Sequence, residues 1–151
     1  MSQSKPWVPA FLMIASVLAM KVIYIASMPL SALAETPWLI DDSFIFARVA
    51  RNLAQGHGYS FDGIHTTSGA PPAWTFLIAG FHLLFSKISA VKAAMMLSSA
   101  CEALAQFFLF DLARRLISAR AGLLAAMLLA FSSICFFQSM NAMETSLYCL
   151  L

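Results

Sequence analysis

VPAFLMIASVLAMKVIYIASMPL, residues Val8–Leu30, decides what kind of protein this is. It stays apolar for longer than the about 20 residues that cross a hydrocarbon core, with Lys21 as its only charge and Trp7 before it as an interfacial anchor. A cleaved signal peptide is the rival reading, since Ala32-Leu33-Ala34 resembles a cleavage site, but the apolar region exceeds the usual ~7–15 residues. The whole chain of 151 residues carries the same message, being 61% hydrophobic and 11% charged. Soluble domains run nearer roughly 45–50% apolar and about 25% charged. A mean hydropathy of +0.81 makes lipid part of the solvent. Nine Lys+Arg against seven Asp+Glu leave a formal charge of +2 with no basic run, which excludes nucleic acid as a partner. Cys101, Cys135 and Cys149 lie in apolar runs and read as small core residues.

Two further stretches of spanning length follow, at about 90–113 and 121–140, separated by Arg114, Arg115 and Arg120. Ala73–Phe85 is apolar as well but too short to span. By the positive-inside rule Lys5 and the arginine cluster share the cytoplasmic side, and a crossing at 73–85 would separate them. The expected fold is therefore all-α and integral to a membrane, with spans at 8–30, 90–113 and 121–140 and a cytoplasmic N-terminus. An extracytoplasmic loop at 31–89 carries amphipathic juxtamembrane helices at about 42–55 and 73–85, and a fourth span starts at 146–151. Membrane lipid is one partner. Because the chain stops inside that last apolar run, it reads as the N-terminal portion of a longer multi-span protein.

Chemistry concentrates in the 31–89 loop. Asp41-Asp42-Ser43 precede Phe44–Gln55, a stretch without Pro or Gly that ends at Gly56, so N-cap and C′ signals bracket a short helix. Phe46, Val49, Ala50 and Leu53 form an apolar stripe suited to lying on the membrane, while Asp41, Arg48, Asn52 and Gln55 share a second face. Adjacent carboxylates repel, and a carboxylate is a usual base for activating a hydroxyl; the same pair also suits the positive end of a helix dipole. Turn signals at Gly56-His57-Gly58 and Asp62-Gly63 flank Tyr59–Phe61 and point to a tight turn or hairpin. His57 and His65 lack metal-ligand spacing.

Several of these runs, in order, resemble the first outer loop of the C-type membrane glycosyltransferases, the GT-C superfamily. They are Asp41–Gly58, with its acidic pair and its Ala50-Arg51-Asn52-Leu53 ending at Gly56 and Gly58; Phe61–His65; and Thr67–Trp74. The similarity extends through Arg114-Arg115-Leu116 to Ala142-Met143-Glu144-Thr145, which resembles the family's Gly-Met-Glu-Thr turn. Ala142 stands where the family has Gly, and Ala73 interrupts a Pro-Leu-Trp.

The resemblance implies a transferase in the plasma (bacterial inner) membrane. It would move a hexosyl or pentosyl group, with inversion, from a polyprenyl-phosphate sugar donor to an extracytoplasmic lipid, glycan or protein. Asp42 and Asp41 are the implied catalytic residues. Asp42 comes first as general base, because matching Ala50-Arg51 to the aminoarabinose and protein mannosyl transferases puts their leading Asp there, with Ser43 where they have Glu. Arg48, Arg51, Lys21 and Glu144 are the donor-phosphate or substrate-binding candidates. Lys21 and Glu102 lie at similar depth, roughly 13–15 Å into the membrane at ~1.5 Å per residue, so they also suit each other as an ion pair. No cofactor is assigned, and a divalent metal is left open without a ligand set. The 151-residue chain alone is expected to be inactive. The alternative outside the enzymes is a small membrane scaffold or transporter subunit whose Asp41-Asp42 only begins a helix.

Overall fold

The computed structural model describes residues 7–151, and Lys5 lies outside them. The described chain forms eight helices: α1 (Trp7–Ser27), α2 (Leu30–Ala34), α3 (Asp41–Ala54), α4 (Pro72–Leu84), α5 (Ala90–Leu116), α6 (Ala119–Ala130), α7 (Ser133–Met140) and α8 (Thr145–Leu150). Among the described residues there is no strand, only an isolated antiparallel bridge between Ser60 and Thr66 inside the expected turn.

α1 and α5 are each long and apolar enough to cross a membrane. They run antiparallel. Lys92, at the start of α5, donates to the carbonyls of Ala26 (3.1 Å) and Met28 (2.6 Å) at the end of α1, where a helix leaves its last oxygens unfilled. At the opposite end Ala10 of α1, Phe110 of α5 and Ala126 of α6 pack together. The outward faces carry large apolar side chains: Phe11, Leu12 and Ile23 on α1, Phe107, Phe108 and Leu112 on α5, and Leu124 and Leu128 on α6. Such a surface aggregates in water and is solvated by acyl chains in a bilayer. The protein is an all-α integral membrane protein.

The stretch expected as one span at 121–140 is divided into α6 and α7, bent by 60°. Phe131 closes α6, and Ser132 adopts an extended conformation (φ −66°, ψ 120°) before its carbonyl accepts from Phe136 to begin α7. The bend brings Ser139 against α1 and α5. α6 approaches α5 closely at Gly122, where an added Cβ would lie 2.7 Å from the Phe110 carbonyl oxygen. Cys101 is buried and Cys135 half-buried, but Cys149 is exposed on the open face of α8 and is not a core residue.

α3 begins earlier than its capping signals suggest. Ile40 is the N-cap, and Asp41 and Asp42 stand inside the first turn. The Ser43 hydroxyl accepts the Ile40 N–H at 3.3 Å, so the carboxylates are not used as caps and both remain exposed. At the other end Gly56, at φ +81°, supplies the left-handed residue that closes the helix. There the His57 N–H bonds the Asn52 carbonyl and the Gly56 N–H bonds that of Leu53. The apolar stripe of α3 does not face lipid: Phe46, Val49 and Ala50 are buried in one core with Trp74, Ile78 and Ala79 of α4 and Ala93 and Ala94 of α5.

Candidate functional site

The end of the bundle where α1 stops and α5 starts gathers the candidate residues. Helical spacing divides the first turn of α3 into three directions. Asp41 lies above Ile45 and Arg48, Asp42 above Phe46 and Val49, and Ser43 above Ala47 and Ala50. Asp41 and Asp42 are solvent-accessible, whereas Ser43 is fully buried and donates its hydroxyl to the Asn141 carbonyl. Thus the position where the resembled transferases carry Glu points inward here and holds the chain that follows α7.

Farther along the same helix, Arg48 and Arg51 line a cavity of about 800 Å³ together with Phe44, Ile45, Asp62 and His82. Most of its wall is apolar. Arg48 donates through Nε to the Phe61 carbonyl (3.3 Å), and neither guanidinium forms an ion pair among the described residues. His82 is tied through Nδ1 to the Ile88 carbonyl at 2.7 Å. Two cations over an apolar hollow suit an anionic amphiphile: a phosphate finds charge-assisted donors, and a hydrocarbon tail finds a dry wall.

The loop beside this cavity is held firmly. Asn52, buried, donates from Nδ2 to the carbonyls of Ser60 (3.0 Å) and Phe61 (2.9 Å). Asp62 accepts the backbone N–H groups of Ile64 (2.9 Å) and His65 (2.8 Å), and its other oxygen meets His65 Nδ1 at 2.8 Å. These bonds, the His65 side chain first, hold the Asp62 carboxyl well below the usual carboxylate range.

Lys21 stands apart from this cavity. Its ammonium is buried against the Glu102 carboxylate and donates to Ser139 Oγ at 2.7 Å, so the alternative in which it reaches a ligand phosphate gives way to the ion pair. Glu144, at the start of α8, is half-buried; its Oε2 is enclosed and has no hydrogen-bond partner among the described residues. No group of three His, Cys, Asp or Glu side chains among the described residues is arranged to hold a metal ion, so Asp41, Asp42 and Glu144 do not form a ready metal centre.

Residues 69–151 match the family model of the dolichyl-phosphate-mannose-protein mannosyltransferases, more than half of the chain. The chain belongs to that family. Comparison with curated proteins and with solved structures found no match. The family match covers α4 through α8, including Trp74 and Glu144; α3, with Asp41, Asp42 and both cavity arginines, precedes it. Membership makes this a membrane glycosyltransferase chain of the kind that draws its sugar from a polyprenyl-phosphate carrier.

The sequence assigned no site role to Ser43, Asn141, Trp74 or Asp62. Ser43 carried one signal, as the uncharged residue at an acidic position of the resembled transferases. Asp62 had a local signal in the Asp62-Gly63 turn, which its bonds to Ile64 and His65 close, and Trp74 stood in the Thr67–Trp74 run; the contacts of Trp74 and Asn141 depend on helices meeting far apart in sequence.

Proposed function

We propose that this chain provides the acceptor-activating part of a transferase working on the extracytoplasmic side of the plasma membrane, with its N-terminus cytoplasmic. Asp42 is the general base. Its carboxylate takes the proton of an acceptor hydroxyl as that oxygen attacks the anomeric carbon opposite the lipid phosphate, and the configuration inverts as the sugar–phosphate bond breaks. Asp41, on the arginine face of α3, is the second candidate. Arg48 and Arg51 hold the donor phosphate and offset the charge that grows on it as it leaves. Glu144, with an unpartnered oxygen, is placed as the acceptor contact.

The observation that carries this reading is the shared helix: the accessible acid pair begins α3, and two turns later the same helix presents two guanidiniums to an apolar cavity. The test is transfer of labelled sugar from polyprenyl-phosphate donors by the intact protein in membrane vesicles. Asp42→Asn is expected to abolish turnover while the protein still inserts and folds, and Arg48→Ala to raise the donor KM and lower kcat together. Undiminished turnover in Asp42→Asn, with loss in Asp41→Asn, would transfer the base role to Asp41.

A further inference from the structure

Asn141, Ala142 and Met143 link α7 to α8 in a turn whose three successive carbonyls are each taken by a side chain from a different helix. Ser43 Oγ of α3 donates to the Asn141 oxygen, Trp74 Nε1 of α4 to that of Ala142 at 3.0 Å, and Ser98 Oγ of α5 to that of Met143 at 2.9 Å. All three donor residues are fully buried, as is Ala142. The Asn141 side chain closes the turn from within, accepting the Met143 N–H at 3.0 Å and donating to Gln138 Oε1 at 2.8 Å. Ala142 sits at φ +61°, a conformation that an L-residue avoids unless its surroundings hold it there. The next residue is Glu144, with its enclosed and unpartnered oxygen.

We infer that Ser43 and Trp74 are positioning residues for Glu144. A turn in an unfavoured backbone conformation is kept by donors from three helices, and the donor from α3 neighbours Asp42 in sequence. The lock therefore ties the Glu144 carboxylate to the helix that bears the acid pair. A half-buried carboxylate with a free oxygen is useful only when its direction is fixed, and these bonds fix it. The dependence of turnover on the lock rests on the proposed role of Glu144 as the acceptor contact; the geometry of the lock does not.

Two measurements on the intact protein in membrane vesicles test this separately. The first is modification of Glu144 by a water-soluble carbodiimide and an amine, read by peptide mass spectrometry, with exposed Glu35 as internal reference. Trp74→Phe, which deletes the indole N–H, and Ser43→Ala, which deletes one oxygen, are each expected to raise Glu144 labelling several-fold at constant Glu35 labelling. Ser43→Thr, which keeps the hydroxyl, should not. The second is sugar transfer: Trp74→Phe and Ser43→Ala are expected to lower kcat about tenfold or more with donor KM little changed, and Ser43→Thr to retain turnover. Unchanged Glu144 labelling in Ser43→Ala overturns the inference even if Trp74→Phe fails to fold. Raised labelling with unchanged kcat overturns the positioning role. If Glu144→Gln keeps full turnover, the reading of Glu144 as the acceptor contact fails, and the labelling result still decides whether the lock orients Glu144.

Discussion

Lys21 of α1 and Glu102 of α5 form a buried ion pair inside the bundle, their side chains only 2% and 7% exposed. The ammonium is fully engaged: besides Glu102 it donates to Ser139 Oγ at 2.7 Å and lies 4.7 Å from the centroid of the Phe136 ring. Glu102 accepts in turn from Gln106 Nε2 at 3.2 Å. Removing one partner strands a charge in a dry interior, at a cost of about 3–5 kcal/mol. Lys21→Met is expected to lower the free energy of unfolding by that order, measured by denaturant titration in micelles. Lys21→Glu combined with Glu102→Lys should recover a large part of the loss; a double variant no better than the singles would remove the pair as a stabilising contact.

Ala142 has the left-handed backbone conformation at φ +61°, at a position where the resembled transferases carry Gly. The methyl group costs about 1–2 kcal/mol in that region, partly offset by the greater freedom that Gly has in the unfolded chain. Ala142→Gly should therefore stabilise the protein by about 0.5–1 kcal/mol, visible as a higher melting temperature in detergent. A drop in stability would mean that the methyl packs favourably enough in its buried site to outweigh the strain.

Gly122 lets α6 approach α5. A Cβ there would meet the Phe110 carbonyl oxygen at 2.7 Å and the Arg114 amide nitrogen at 3.2 Å, both backbone atoms that cannot swing aside. Gly122→Ala should push the helices apart and cost about 1–3 kcal/mol, despite the better helix propensity of Ala. The same change at Gly80, where an added Cβ meets nothing within 4 Å, is the matched control, and it should be neutral or mildly stabilising.

The Asp62–His65 hook sets a pH dependence for the loop over the arginine cavity. The Asp62 carboxyl is held below its ordinary range by the His65 side chain and by the amides of Ile64 and His65. Because the folded value is depressed, its contribution is complete above the unfolded value of about 4 and is lost as pH falls through the lower folded value. Protection of the Ile64 and His65 amides from hydrogen exchange, corrected for intrinsic rates, should hold down to about pH 4 and decline only under stronger acid. In Asp62→Ala it should be lost at every pH.

Much of the framework is legible in the residues because it depends on local quantities. Hydropathy along 8–30 and 90–113 identifies helices that lipid solvates, and counting residues from each span's end is enough to pair Lys21 with Glu102. The end of α3 is legible at Gly56 because a left-handed residue is needed there. Its start is less so: Asp41-Asp42-Ser43 offers three capping residues in a row, and what selects Ile40 as the cap is the inward Ser43 hydroxyl, which another helix's turn also claims. Likewise the apolar stripe of α3 reads equally well as a lipid face or a core face, since periodicity reports that a face is apolar and not what covers it.

By itself the sequence determined that this is a helical membrane protein, with an acid pair at the head of an amphipathic helix and a buried cation that needed a partner. Each of these follows from the cost of placing particular side chains in lipid or in a helix, and that cost is set residue by residue. Only the tertiary structure decided that the stretch at 121–140 bends at Ser132, that Arg48 and Arg51 border a cavity, and that Ser43, Trp74 and Ser98 converge on one turn. These depend on which helix faces meet. Such contacts join residues as far apart as Ser43 and Asn141, and their energy exists only once the chain has brought the helices together.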